Sequence, residues 1–146
     1  MAMLRAGADI VGYELREDFA ARATGNVERF LGEEVMARYR VELRDAYEGI
    51  DEVELDRIVL DLPEPWQVVP AAIDALRPGG IFVAYSPSIV QVMQLRDAFE
   101  KAGTFALCET IEVLNRGWHV EGQAVRPDHR MVAHTGFLTS ARRVVT

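Results

Sequence analysis

Four residues of this 146-residue chain stand where apolar runs end and chemistry can begin. Glu14 follows Ile10-Val11-Gly12-Tyr13, Asp45 follows Tyr39-Arg40-Val41-Glu42-Leu43, Asp61 follows Ile58-Val59-Leu60, and Tyr85 follows Ile81-Phe82-Val83-Ala84. Each run reads as a strand, and the last two are continuous rather than alternating, as in strands covered on both faces. Ligands of open parallel sheets bind beyond the carboxyl ends of the strands. The three acids are therefore expected to converge on one sheet edge, where carboxylates suit hydroxyl and amino groups better than phosphates, an adenosine-like ligand. Glu14 fits the carboxylate that accepts both ribose hydroxyls, and reads equally as an acid at a helix start. Asp45 reads as a ligand or as an ordinary loop acid. Asp61 precedes Leu62-Pro63-Glu64-Pro65-Trp66, where two prolines stiffen the turn, and reads as a functional carboxylate or as a turn cap.

The elements that must position these residues alternate between strand and helix. After the first strand, Phe19, Ala23, Val27, Phe30 and Leu31 recur at helical spacing up to a stop at Gly32. An acidic loop from Glu48 to Asp56 precedes the third strand. A helix is predicted from Trp66 to Leu76 with Pro78-Gly79-Gly80 as terminator, and Ser86-Pro87-Ser88 opens another that runs through Val90, Leu95, Ala98 and Phe99 to Gly103. Strands are predicted in Ala106–Leu114 and Val132–Val145, joined by a segment too long for a tight hairpin. Alternating units followed by a pair of strands give an α/β fold, a mainly parallel sheet with an antiparallel C-terminal edge.

With 49% hydrophobic residues the chain is expected to be one globular domain over residues 1–146. No apolar run approaches the roughly 20 residues that span a bilayer, and a lone Cys108 fits a reducing compartment, so a cytoplasmic location and no metal site are expected. Cys108 itself reads as a small apolar residue. The net charge of −7 is uneven: residues 1–73 carry 16 acids and 8 bases, residues 74–146 carry 7 and 8. An RNA would touch the second half, and fifteen of the sixteen bases are Arg, which forks onto phosphate and stacks on bases.

Asp61-Leu62-Pro63-Glu64-Pro65-Trp66 resembles the catalytic motif of the tRNA adenine-N1 methyltransferases that act at position 58. Tyr13-Glu14-Leu15-Arg16 looks like that family's ribose-binding strand end, and Tyr85 to Val92 its later strand and helix entry. Arg116-Gly117-Trp118 and the stretch Arg126 to Leu138 agree as well, so the resemblance covers nearly the whole chain in the family's order. It implies a Rossmann-like class I methyltransferase sheet and methyl transfer from S-adenosylmethionine to N1 of an adenine in the tRNA T-loop. By that resemblance Glu14 holds the cofactor ribose, and Asp45 with Ala46 faces its adenine. Asp61, in reach of the cofactor, takes a hydrogen bond from the target amino group and offsets the charge that appears on the alkylated ring.

An extruded base needs ring faces and edge contacts, for which Trp66, Tyr85, Gln91, Arg126 and His134 are the candidates. Alternatives stay open: Trp66 as a core aromatic, Gln91 as a backbone cap, and His129, His134, Arg116 and Trp118 as structural or subunit-packing residues. The resemblance further implies a homotetramer. It also implies an N-terminal domain, a first strand and a glycine-rich cofactor turn. Arg5-Ala6-Gly7-Ala8 does not supply that turn, so the expectation is a partial catalytic domain with its first strand missing and impaired activity. Two other readings are a noncatalytic RNA-binding or scaffold subunit, and a methyltransferase of the same fold acting on a protein or small molecule.

Overall fold

Residues 10–14 and 39–43, rich in β-branched and aromatic side chains, pair as parallel strands in the computed structural model, which describes residues 1–131 and 134–145. They belong to the first of two units into which the chain divides, Met1–Gly49 and Ile50–Thr146. The first unit holds a short helix α1 (Ala2–Arg5), β1 (Ile10–Glu14), α2 (Glu17–Leu31), a 3-10 stretch over Glu33–Arg38, and β2 (Tyr39–Leu43). Ala20 and Val27 form the buried stripe of α2, whereas Phe19 and Phe30 are exposed. Their rings lie under Arg16 and Arg29, with guanidinium carbons 3.9 and 4.6 Å from the ring centroids. Cation–π contact on the surface has thus taken two aromatics that spacing alone assigned to the apolar face.

The second unit carries β3 (Leu55–Leu60), α3 (Val69–Ala75), β4 (Leu76–Ser86), α4 (Ile89–Ala102), β5 (Phe105–Glu112), β6 (Trp118–Glu121), β7 (Ala124–Pro127) and β8 (Phe137–Arg143). Its four-stranded sheet has the order β3-β4-β8-β5, with β3 and β4 parallel and the β4–β8 and β8–β5 pairs antiparallel. The expected antiparallel edge is present. Strand β4 starts earlier than predicted because Leu76 pairs with Leu55 before residues 77–80 loop out. Gly80 is required at that kink, since a Cβ would meet the Arg77 and Leu55 carbonyl oxygens at 2.9 Å. The helix expected over Trp66–Leu76 is correspondingly shorter, a 3-10 turn over Pro65–Val68 followed by α3.

One sheet face supports the core. Phe82, Ala84, Thr139 and Ala141 are buried on it, and the Phe82 ring meets Phe99 of α4 edge-on at 5.1 Å. Val69, Ala72 and Leu76 from α3 and its exit, with Val92 and Leu95 from α4, complete this layer. Each fully buried large apolar side chain contributes about 1.5–3 kcal/mol, whereas an exposed ion pair such as Arg77–Asp56 contributes at most about 1 kcal/mol, so apolar packing decides the unit's stability. The opposite face is barer, with Val59, Ile111 and Leu138 exposed.

Helix α4 begins and ends as its sequence dictates. Ser88 Oγ accepts from the Val90 N–H at 3.2 Å, and the Gln91 side chain accepts from the Ser88 N–H at 3.0 Å, a reciprocal cap. Gly103 closes the helix in a left-handed conformation, φ 66°. The long connection before β8 contains a hairpin that the sequence did not disclose, β6 and β7 joined by Gly122-Gln123. The expected strand Val132–Val145 is realised from Phe137 to Arg143, and Val132 and Ala133 lie outside the described residues.

Candidate functional site

Every strand-terminating residue singled out in the sequence stands at or next to a carboxyl strand end, Glu14 and Asp45 in the two-stranded sheet of the first unit, Asp61 and Tyr85 in the four-stranded sheet of the second. Among the described residues β1 pairs only with β2, and β3 only with β4. In the first unit, Glu14 closes β1 and Asp45 follows β2. Glu14 Oε1 accepts the Arg16 N–H at 2.9 Å, and Asp45 Oδ1 accepts the Tyr47 N–H at 2.9 Å while capping the 3-10 turn Ala46–Glu48. Each carboxylate is thus oriented by one backbone bond through one of its two oxygens. Two half-buried carboxylates at the ends of parallel neighbours fit vicinal hydroxyls and an exocyclic amine. Ala46 lies directly after Asp45, half-buried.

In the second unit Asp61 leaves β3 exposed, and its carboxylate has no hydrogen bond or ion pair with the described residues. The rest of its turn is engaged. The Pro63 carbonyl accepts from the Gln91 amide at 2.8 Å, Glu64 accepts from Gln67 at 2.6 Å, and Pro65 is buried. Asp61 thus presents its carboxylate to solvent from a turn that is itself held in place.

Tyr85 lies near the end of β4 on the face away from α3 and α4, since Ala84 and Ser86 on either side are buried in the core. Its hydroxyl donates to the Thr135 carbonyl. Gly136, buried with φ +149°, lies so close to the Tyr85 ring that a Cβ there would collide with it.

The remaining candidates are dispersed. Trp66 lines a groove of about 300 Å³ on the helix layer, where Val69, Pro70 and Ile73 face Ala98, Lys101 and Ala102. That layer covers the sheet face opposite Tyr85, so the two rings do not form a pair, because the 3-10 turn after Pro65 directs the chain onto α4. Gln91 is spent on protein groups, its carbonyl oxygen on the cap and its amide on Pro63. Arg126 is exposed on the β6–β7 ribbon, opposite His119, and His129 and Arg130 are exposed beyond it. His134 has Nδ1 2.5 Å from Glu112 Oε1 and Nε2 2.8 Å from the Pro87 carbonyl oxygen. The Glu112 bond, then the Pro87 bond, raise its pKa above the ordinary 6.5, with desolvation opposing them. Burial also pushes the Cys108 thiol up, with Arg96 opposing, which leaves no activated thiolate.

Among the described residues no group of three or more His, Cys, Asp or Glu is arranged to hold a metal, and no helix is long and apolar enough to cross a membrane.

Residues 11–126 match the family model described as the GCD14 subunit of the tRNA methyltransferase complex. The tRNA (adenine(58)-N(1))-methyltransferase TrmI of Thermus thermophilus is 37% identical over 134 residues, 92% of this chain and 51% of that protein. TrmI of Methanocaldococcus jannaschii, a tRNA (adenine(57)-N(1)/adenine(58)-N(1))-methyltransferase, is 33% identical over 156 residues, 91% of this chain and 55% of that protein. Among solved structures, a SAM-dependent O-methyltransferase from Thermotoga maritima superposes with a TM-score of 0.84 at 32% identity, over 94% of this chain and 51% of that one. The tRNA (m1A58) methyltransferase TrmI of Aquifex aeolicus gives 0.79 at 25% identity, over 94% and 54%. The chain spans about half the length of the curated relatives it matches.

Proposed function

The chain belongs to the GCD14 family of tRNA methyltransferase subunits, and from that membership we propose that it serves methyl transfer from S-adenosylmethionine to N1 of adenine 58 in the tRNA T-loop. The observation that carries the proposal is Asp61, a carboxylate left free on a turn whose neighbouring polar groups are engaged. S-adenosylmethionine, when bound, supplies an electrophilic methyl. The chain supplies position and charge. Asp61 accepts a hydrogen bond from the exocyclic amine of the target adenine, and the same carboxylate offsets the positive charge that the ring gains when N1 is alkylated. No strong base is needed, because neutral N1 presents its lone pair; alignment of N1 provides most of the acceleration.

The Glu14 carboxylate takes the ribose hydroxyls through the oxygen that Arg16 leaves free, and Asp45 with Ala46 faces the adenine of the cofactor. Tyr85, held by Thr135 and backed by Gly136, offers a ring face to the extruded base. Trp66 and Arg126 remain proposed substrate contacts, Trp66 at the edge of the turn and Arg126 toward tRNA phosphate from the exposed ribbon. The two units are proposed to be parts of one catalytic domain. Location in the cytoplasm fits the tRNA substrate and the lone Cys108. Homotetramer assembly rests on the family, with exposed Trp118, Val120 and Val125 on the ribbon as contact surface.

The test is methylation of an unmodified tRNA transcript by the complete gene product that carries this chain, read as a reverse-transcription stop at position 58, with S-adenosylhomocysteine titrated calorimetrically in parallel. Asp61→Asn is expected to lower the rate on the order of 10²–10³-fold with cofactor affinity kept. Tight tRNA binding without methylation or cofactor binding by the unmodified protein would replace the enzyme by the noncatalytic RNA-binding subunit.

A further inference from the structure

His134 stands between two acceptors. The carboxylate of Glu112, at the end of β5, lies 2.5 Å from Nδ1, and the carbonyl of Pro87, in the turn between β4 and α4, lies 2.8 Å from Nε2. Neither partner has a hydrogen to donate. A neutral imidazole carries one N–H and one lone pair, and would set that lone pair against an oxygen at one of the two contacts. Both distances are satisfied together only by the doubly protonated ring, which also rests against Phe137 with centroids 5.0 Å apart.

The groups tied by this ring lead to the functional turns. Thr135, the next residue, accepts the Tyr85 hydroxyl, and Gly136 backs the Tyr85 ring. On the other side of Pro87, Ser88 donates its N–H to Gln91, whose amide holds the Pro63 carbonyl two residues after Asp61. Hydrogen bonds and the short chain segments between them thus connect the ends of β5, β8, β4 and β3. We infer that His134 is a positioning residue: clipped as an imidazolium between Glu112 and the Pro87 carbonyl, it fixes the turn behind Tyr85 and, through Gln91, the turn that presents Asp61 to the target base. The inference rests on the adenine-methylating reading above.

Among the described residues Glu112, on β5, is the charged group that acts on the ring. From β4 the Tyr85 phenol faces its backbone neighbour, from β8 only the uncharged Phe137 meets it, and the β4–α4 turn contributes the Pro87 carbonyl. The clip is therefore closed while the imidazole carries both protons and opens as pH rises through the His134 pKa, which Glu112 holds above the ordinary 6.5.

Long-range proton–nitrogen NMR of this chain tests the clip, and needs no substitution. Both His134 ring nitrogens should carry protons at neutral pH, and Glu112→Gln should move the titration down. One protonated nitrogen at neutral pH, or a titration indifferent to Glu112→Gln, overturns the inference. In the complete gene product, His134→Ala should lower kcat on the order of 10²-fold, the cost of misplaced reacting groups, with the KM for S-adenosylmethionine unchanged. His134→Gln, which restores one N–H donor, should recover part of the loss, and the decline of kcat as pH rises through the His134 pKa in the unsubstituted protein should vanish in His134→Ala. A protonated clip with an unaltered kcat in His134→Ala refutes the positioning role and leaves the functional reading standing. An unsubstituted protein that does not methylate tRNA refutes that reading and the role with it, while the NMR result still decides whether the clip exists.

Discussion

At the scale of single residues, the groups of the candidate site have none, one or two tasks within the protein. Asp61 has none, Glu14 and Asp45 each spend one oxygen on a backbone bond, and Gln91 and His134 are fully occupied. Gly136 belongs with the occupied group, since its missing Cβ is the space filled by the Tyr85 ring. Gly136→Ala is expected to destabilise the chain by about 1–3 kcal/mol, through overpacking and an unfavourable positive φ, measurable as a lower urea midpoint at unchanged slope. His134 makes a pH-dependent contribution whose sign follows from its raised pKa. Stability gained from the clip is complete below 6.5, the ordinary value, and is lost as pH rises through the higher folded value. The thermal midpoint difference between the unsubstituted chain and His134→Ala should therefore shrink as pH rises above 6.5, the ordinary value. Asp61 could be picked out from the sequence because it sits between an apolar strand and two prolines. The engagement of Gln91 and His134 could not, because their partners lie 28, 22 and 47 positions away and no local pattern links them.

At the scale of elements, local signals located what local physics builds. Helix α4 was legible at both ends because Ser88 and Gly103 act on their own backbone. Ser88→Ala is expected to cost about 1 kcal/mol and to fray the first turn of α4, seen as faster amide exchange at Val90 and Gln91 with little change near Gly103. The strands were legible as apolar runs. What failed was decided by partners or by brevity. The four-residue strands β6 and β7 bury no apolar stripe, with Trp118, Val120 and Val125 all exposed, so their pairing left no periodic trace. The early start of β4 depends on Leu55 across the sheet, and the outward Phe19 and Phe30 of α2 on neighbouring guanidinium groups.

For the whole molecule, burial is divided unequally. Leu4, Ala20 and Val27 are the apolar residues of Met1–Gly49 that are buried among those described, while the second unit has the phenylalanine-centred layer beneath α3 and α4. A two-stranded ribbon with so small an apolar interior is marginal in water. Hydrogen exchange of this chain should therefore show residues 10–43 exchanging well before the β4–β8 amides, whereas uniform protection across both units would contradict the unequal cores. The chain's two tryptophans lie on different parts of the second unit: Trp118 is 62% exposed on the β6–β7 ribbon, and Trp66 lines the groove between α3 and α4. Their intrinsic fluorescence accordingly offers two separate signals, a red-shifted emission open to acrylamide quenching from the ribbon and a bluer, sheltered one from the helix layer, so events at the ribbon and loosening of the core can be followed independently in one unlabelled sample.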